Sequence, residues 1–179
     1  MIEMSRQKII RRLLVLRNLE IFNIFWLPLC LYVALVSRNV LYWQPYGFGM
    51  FVICVILAQG VFYWHLKLQT IAKNGRALPP YFYQLFSFFK WADVLLLLIY
   101  PMLIFGSQVT ALVNFQVSIW SNLLYLFAAI EYINYYHYQL SHDNLNDLRY
   151  LFKHRKIRRS PLFMDMQRNQ KRDQEPAAG

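Results

Sequence analysis

Two acidic residues inside long apolar stretches are the side chains of this sequence that could most readily do chemistry. Asp93 lies in the run 86–105, and Glu131 lies in the run 114–134. A charge at mid-membrane costs about 2.5–3.5 kcal/mol on insertion scales, so each carboxyl group needs a partner or must stay neutral. Lys90 is one helical turn from Asp93 and could pair with it. Glu131 has no basic residue three or four positions away, so its expected partners lie on other helices: Arg17, His65 and Lys90.

Three roles are open for Asp93 and Glu131. They could form a buried polar lock that orients the helices, or a site that handles a proton or ligand, or they could reach the interface with no special role. The second role would make the chain a membrane enzyme acting on a lipid at the inner leaflet, or a small transporter. A transporter would need polar residues along its whole path, whereas the outer halves of the apolar runs contain no Asp, Glu, Lys or His.

Other polar residues accompany the two acids at the same end of the runs. The predicted polar cluster comprises Lys90, Asp93, Glu131, Asn134 and His142.

Histidines offer only weak metal or haem ligands here, and the candidates are His65, His137 and His142. His137 and His142 are five residues apart, which separates them by about 140° on a helix, whereas a chelating pair needs a spacing of three or four. His65 and His137 could meet at the inner boundary. The sequence contains no glycine-rich phosphate loop, no Gly-x-Ser-x-Gly elbow and no Cys-x-x-Cys pair. We therefore expect no cofactor, and a non-enzymatic role is favoured over an enzymatic one.

The elements that must position these residues are membrane helices. The chain is 58% hydrophobic, and its apolar residues fall into long blocks. Runs of about 18–21 residues can cross a bilayer as helices at about 1.5 Å per residue. The sequence thus predicts an all-α, four-helix transmembrane bundle with spans at 19–36, 47–64, 86–105 and 114–134. Small and hydroxyl-bearing residues along the fourth span predict that it is the central one.

The segments that flank the spans are basic. Residues 1–18 are expected to form an amphipathic cytoplasmic segment, or equally the inner extension of span one. The start is not read as a cleaved signal peptide, because Arg17, Asn18 and Glu20 interrupt the transition to the apolar run. Leucines at helical spacing predict an amphipathic, basic helical extension over 135–160. Pro161 is expected to end that helix, and 161–179 to be a disordered polar tail.

The distribution of positive charge predicts the topology. The net charge is +10, and Lys and Arg fall almost wholly in alternate gaps between the spans. Cytoplasmic loops collect Lys and Arg, so both termini are expected in the cytoplasm, in a cell (inner) membrane.

Basic residues of the two flanking segments are predicted to contact anionic lipid, a partner protein or both. Nucleic acid is the less favoured partner, because these residues flank membrane spans. The sequence also leaves open whether the chain forms a homo-oligomer. The residues are Arg11, Arg12, Lys153, Arg155, Lys156, Arg158 and Arg159.

The sequence after the fourth span carries a resemblance. The segment 131–143 (EYINYYHYQLSHD), with 147–151 and 158–160 after it, resembles the end of an uncharacterised family of small bacterial four-span membrane proteins. Some of these are loosely labelled general stress proteins. The resemblance implies a bacterial origin and no particular chemistry. The function predicted from the sequence is therefore that of an integral membrane accessory or scaffold protein.

Overall fold

The computed structural model describes residues 2–37, 44–73, 75, 77–106, 115–140 and 158–174. These residues form five helices and no strand, which confirms the all-α class. The helices are α1 (Ile2–Ser37), α2 (Gln44–Ala72), α3 (Phe82–Gly106), α4 (Phe115–Tyr136) and α5 (Pro161–Gln174).

Three helices are long and apolar enough to cross a membrane, over Arg6–Ser37, Tyr46–Ala72 and Phe82–Met102. The first of them joins the predicted segment 1–18 to span one in a single continuous helix. This outcome matches the alternative in which the basic segment is the inner extension of the span. The residues around this junction, 13–21, include four leucines and neither Gly nor Pro, so a helix can pass through them without a break.

The central helix is α2, and the prediction that span four is central is wrong. Helix α2 packs against α1, α3 and α4. It approaches α4 through two glycines eleven residues apart, Gly49 and Gly60, which lie about 20° apart around the helix. A Cβ at Gly49 would lie 3.3 Å from Leu124 Cβ, and one at Gly60 would overlap the Tyr135 ring. Glycines at these points allow the close backbone approach that holds helices together in lipid.

The long helices that follow one another in the chain run antiparallel, and this brings the described basic segments to one end of the bundle. The Arg6 guanidinium donates hydrogen bonds to the carbonyl oxygens of Ile71 and Ala72, at 2.8 and 2.9 Å. The beginning of α1 therefore lies against the end of α2. At the opposite end the Tyr100 ring stacks on Tyr125, with ring centroids 4.4 Å apart.

The outer faces of α1, α3 and α4 are apolar. Their side chains are 37–73% exposed and recur at helical spacing, as membrane-facing residues do. Representative members are Leu19, Phe22, Phe25 and Leu29 on α1, Phe88, Trp91, Leu95, Leu98 and Met102 on α3, and Ile119, Leu123, Leu126 and Ile130 on α4.

The prediction of a disordered tail over 161–179 is wrong for 161–174, which form α5. Pro161 begins this helix rather than ending one, because a proline fits the first helical position, where no backbone N–H is needed. Ser160 caps the helix, and its hydroxyl accepts a hydrogen bond from the Phe163 N–H at 3.0 Å. Leu162 and Met166 are buried in the core of the bundle. Among the described residues, an amphipathic helix with basic residues in its last turn thus lies at Pro161–Gln174.

The helical extension predicted over 135–160 does not continue through 137–140 or 158–160, the parts of that range after Tyr136 that the structure describes. Helix α4 ends at Tyr136, and Tyr138 then forms an isolated antiparallel bridge with Arg159. Residues 141–157 lie outside the described part of the chain, as do 175–179.

Candidate functional site

A buried chain of hydrogen bonds joins three helices around Asp93. Asp93 on α3 is 0% exposed, and its Oδ1 accepts a hydrogen bond from Gln59 Nε2 of α2 at 2.7 Å. The Gln59 Oε1 atom accepts a hydrogen bond from the Tyr136 hydroxyl of α4 at 2.6 Å. One residue from each of three helices is therefore fixed by a polar contact that satisfies both ends of the glutamine amide.

The predicted partner of Asp93 is wrong, because Lys90 forms no ion pair with it. Instead Asp93 turns into the bundle toward Gln59, and its Oδ2 has no hydrogen-bond partner among the described residues. A bundle built from α2, α3 and α4 places the glutamine of a neighbouring helix closer to this carboxyl group than the lysine of its own helix.

Glu131 also differs from the prediction, since neither Arg17, His65 nor Lys90 pairs with it in the described part of the chain. Its Oε2 accepts a hydrogen bond from Asn134 Nδ2 of the same helix at 3.5 Å. Asn134 in turn accepts a hydrogen bond from the Leu140 N–H at 2.8 Å. Among the described members of the predicted polar cluster, Glu131 and Asn134 are brought together; His142 lies outside the described residues.

One acidic residue that does link two helices at this end is Glu20. It accepts a hydrogen bond from the Tyr135 hydroxyl, so it connects α1 to the end of α4. The carbonyl oxygen of the same Tyr135 accepts a hydrogen bond from the Ser160 hydroxyl. Tyr135 thus ties α1, α4 and the start of α5 together.

A half-buried ion pair attaches α5 to α2. Lys67 Nζ lies 2.6 Å from Asp165 Oδ2, and the two side chains are 26% and 12% exposed. The Tyr63 hydroxyl donates a second hydrogen bond to the same oxygen at 2.7 Å. At the other end of α5, Asn169 Oδ1 accepts a hydrogen bond from the Tyr83 N–H at 3.2 Å. Helix α5 is therefore a docked part of the bundle.

We expect Asp165→Asn to loosen α5 without unfolding the membrane helices, because Lys67 loses its counter-charge in a partly buried place. A loss of about 1–2 kcal/mol makes backbone amides of α5 exchange roughly 5–30 times faster in hydrogen exchange. The control is Arg168→Gln, which removes an exposed, 3.8 Å contact with the same carboxylate and should change little. Equal exchange in both variants would show that the ion pair does not hold the helix.

A cavity of about 360 Å³ lies where α1, α2, the end of α4 and the start of α5 meet. Three cationic side chains reach it, Arg12, Lys67 and Arg158, against one carboxylate, Glu20. Much of the rest of its wall is apolar, with contributions from Ile9, Leu13, Leu16, Trp64 and Leu162. We call this space the rim cavity. A second space of about 340 Å³ adjoins it beyond Lys67, and neither of these two spaces is lined by Asp93 or Glu131.

The structure unites two of the basic residues predicted to contact lipid or a partner, since Arg12 and Arg158 both line the rim cavity. Arg11 is exposed beside them on α1. The Arg159 guanidinium lies over the Phe163 ring, 4.9 Å from its centroid. Lys153, Arg155 and Lys156 lie outside the described residues. We use the term basic rim for Lys8, Arg11, Arg12, Arg158, Arg159, Arg168, Lys171 and Arg172.

The two histidines that the structure describes, His65 and His137, do not converge. His65 lies near Arg17 and Gln69, with its Nε2 2.9 Å from Gln69 Nε2, and the His137 ring lies against Tyr132. Partial burial lowers the pKa of His137, and the positive charges of Lys90 and Arg159 lower it further, so its ring is neutral at pH 7. Among the described residues, no group of three or more His, Cys, Asp or Glu side chains is placed to hold a metal ion.

Several structural contacts were missed by the sequence reasoning. Gln59 stands as an isolated polar residue in the apolar run of α2, which was a visible signal. Asp165 and Ser160 gave no comparable signal, because they lie in a polar region whose burial depends on where α5 docks.

The described site is thus a basic rim around an amphipathic cavity, beside a buried chain of hydrogen bonds.

No protein-family model, no curated protein and no solved structure matches this chain.

Proposed function

We propose that this chain is an accessory protein of a bacterial inner membrane. In this proposal it crosses the bilayer four times, keeps both termini in the cytoplasm and contacts anionic lipid through its basic rim.

Four spans are supported by α4 as well as by the three more apolar helices. Helix α4 has 22 residues, or about 33 Å at helical rise, which matches a hydrocarbon core of about 30 Å. It lies beside α2 and α3, and its outer face exposes large apolar side chains such as Leu123 and Leu126. A helix packed in this way between two spanning helices is best accommodated by lipid on its free side.

The cytoplasmic orientation is supported by where the described cations lie. Every described Lys and Arg of α1, α2 and α5 belongs to the end of the bundle at which α1 begins and α2 ends. Positive charge concentrated at one end is retained in the cytoplasm during insertion.

The single observation that carries the lipid proposal is the change along α1 from exposed basic side chains to exposed apolar ones. Exposed Lys8, Arg11 and Arg12 are followed within one to three turns by exposed Val15, Leu19 and Phe22. Such a change is expected at the level of the lipid headgroups. There each nearby Lys or Arg strengthens binding to an anionic membrane surface by about 1 kcal/mol. An enzyme that uses Asp93 and Glu131 receives no such support, since neither residue lines the two cavities described above.

The test is lipid selectivity of the full chain in reconstituted bilayers of phosphatidylcholine. Spin-labelled phosphatidylglycerol should associate with the protein several-fold more than spin-labelled phosphatidylcholine, and salt should reduce the preference by screening. Changing Lys8→Gln together with Arg11→Gln should lower it, whereas the charge-preserving pair Lys8→Arg and Arg11→Lys should keep it. Equal association of both lipids at low salt would refute lipid contact and favour a partner protein at the rim.

A further inference from the structure

We infer that the rim cavity is a discrete binding site for the phosphate-bearing headgroup of one anionic phospholipid, held by Arg12 and Arg158. This inference rests on the proposed lipid contact and specifies where one lipid is bound most firmly.

The charges of the cavity favour an anion. Its described lining residues include three cations and one carboxylate, and that carboxylate, Glu20, already accepts the hydrogen bond of Tyr135. Lys67 is engaged by Asp165, so it contributes positive potential rather than a direct contact. Arg12 and Arg158 also line the cavity, and the planar guanidinium group of an arginine matches phosphate oxygens in paired hydrogen bonds.

The apolar walls favour an amphiphile over a free phosphate ion. Leu13, Leu16 and Trp64 line the same space, and Leu13 is buried there. A site for inorganic phosphate gains nothing from such walls, whereas the glycerol and ester region of a lipid removes them from water.

The size of the cavity fits a headgroup rather than a whole lipid. A volume of about 360 Å³ is at the low end for ligand pockets and cannot take two acyl chains. The chains would instead follow α1, whose exposed Leu19 and Phe22 lie deeper along the same helix. One lipid would thus place its phosphate at the arginines and its chains against the apolar face.

The experiment is native mass spectrometry of the full chain released from neutral detergent with equal phosphatidylglycerol and phosphatidylcholine of matched chains. We expect one phosphatidylglycerol to stay bound. Arg12→Gln and Arg158→Gln should each lower its retention about tenfold, the effect of losing one charge-assisted contact. Lys73→Gln is the control, because it removes one positive charge from an exposed position after α2 that lines neither cavity and lies outside the basic rim. It should retain the lipid as the unmodified chain does.

Each other outcome overturns the site. Equal losses for Lys73→Gln and Arg12→Gln would mean that positive charge at this end of the bundle attracts lipid diffusely, and the spin-label preference would then survive without a discrete site. Loss of that preference itself would instead refute the proposed function. If glycerol 1-phosphate displaced the lipid and bound as tightly as it, the apolar walls would play no part and the ligand would be a soluble phosphate ester.

Discussion

Gly60→Ala is expected to destabilise the bundle by about 1–3 kcal/mol, the range for overpacking a well-packed interior. The added Cβ would overlap the Tyr135 ring, which is 8% exposed and tied through its hydroxyl to Glu20. The ring cannot turn aside without giving up that hydrogen bond, so α2 and α4 must separate. The free energy of unfolding in mixed micelles, with rising dodecyl sulfate, measures the loss.

Two further variants make this expectation specific. Gly49→Ala places its Cβ 3.3 Å from Leu124 Cβ, a tight contact that a small shift relieves, so its effect should be smaller. Combining Gly60→Ala with Tyr135→Ala removes the obstacle, so the double variant should be more stable than the sum of the two single effects predicts. Additive effects would mean that Gly60 is not tightly packed against Tyr135.

The largest polar effect is expected at Asp93. Asp93→Leu removes the acceptor of Gln59 Nε2 and leaves a buried amide group unsatisfied, at a cost of about 1–3 kcal/mol. Asp93→Asn keeps an oxygen for that hydrogen bond and puts an amide group where Oδ2 has no described partner. We expect the asparagine variant to stay within about 1 kcal/mol of the original stability, as measured by the same unfolding titration.

A substitution at a neighbouring position tests whether the loss of stability in Asp93→Leu comes from the buried hydrogen bonds that join Asp93, Gln59 and Tyr136. Val94 is the next residue of the same helix and has no polar group to lose, so Val94→Leu changes volume alone. If Asp93→Asn were as damaging as Asp93→Leu, the negative charge itself would be required, and the role of a polar lock between α2, α3 and α4 would be refuted.

The sequence was sufficient for the helices that consist of long apolar runs. A backbone in lipid must form its hydrogen bonds within the protein, which favours helices. The predicted spans 19–36, 47–64 and 86–105 fall inside observed helices, and so does the fourth predicted span from residue 115 onward. The candidate site was predicted less well. Arg12 and Arg158 were named from charge alone, but their meeting at one cavity depends on the docking of α5.

The remaining differences have physical causes that a single sequence does not display. Pro161 is compatible with the end of one helix and with the beginning of another. The hydrogen bond from the Phe163 N–H to the Ser160 hydroxyl shows that a helix begins here, and this contact is not visible in the sequence. The partner of Asp93 depends on the rotation of α2 against α3, which small residues on the α4 side help to set. Gln59 and the pair Gly49 and Gly60 were visible in the sequence, but their shared importance required knowledge of which helices adjoin.

The attachment of α5 has a consequence for the order of biosynthesis. Helix α5 docks through Asp165 and Asn169 onto Tyr63, Lys67 and Tyr83. The ribosome adds these partners 86 to 102 residues earlier in the chain. The Ser160 contact additionally requires Tyr135 at the end of the last long helix. Helix α5 can therefore dock only after α2, the start of α3 and the end of α4 have been synthesised and have come together.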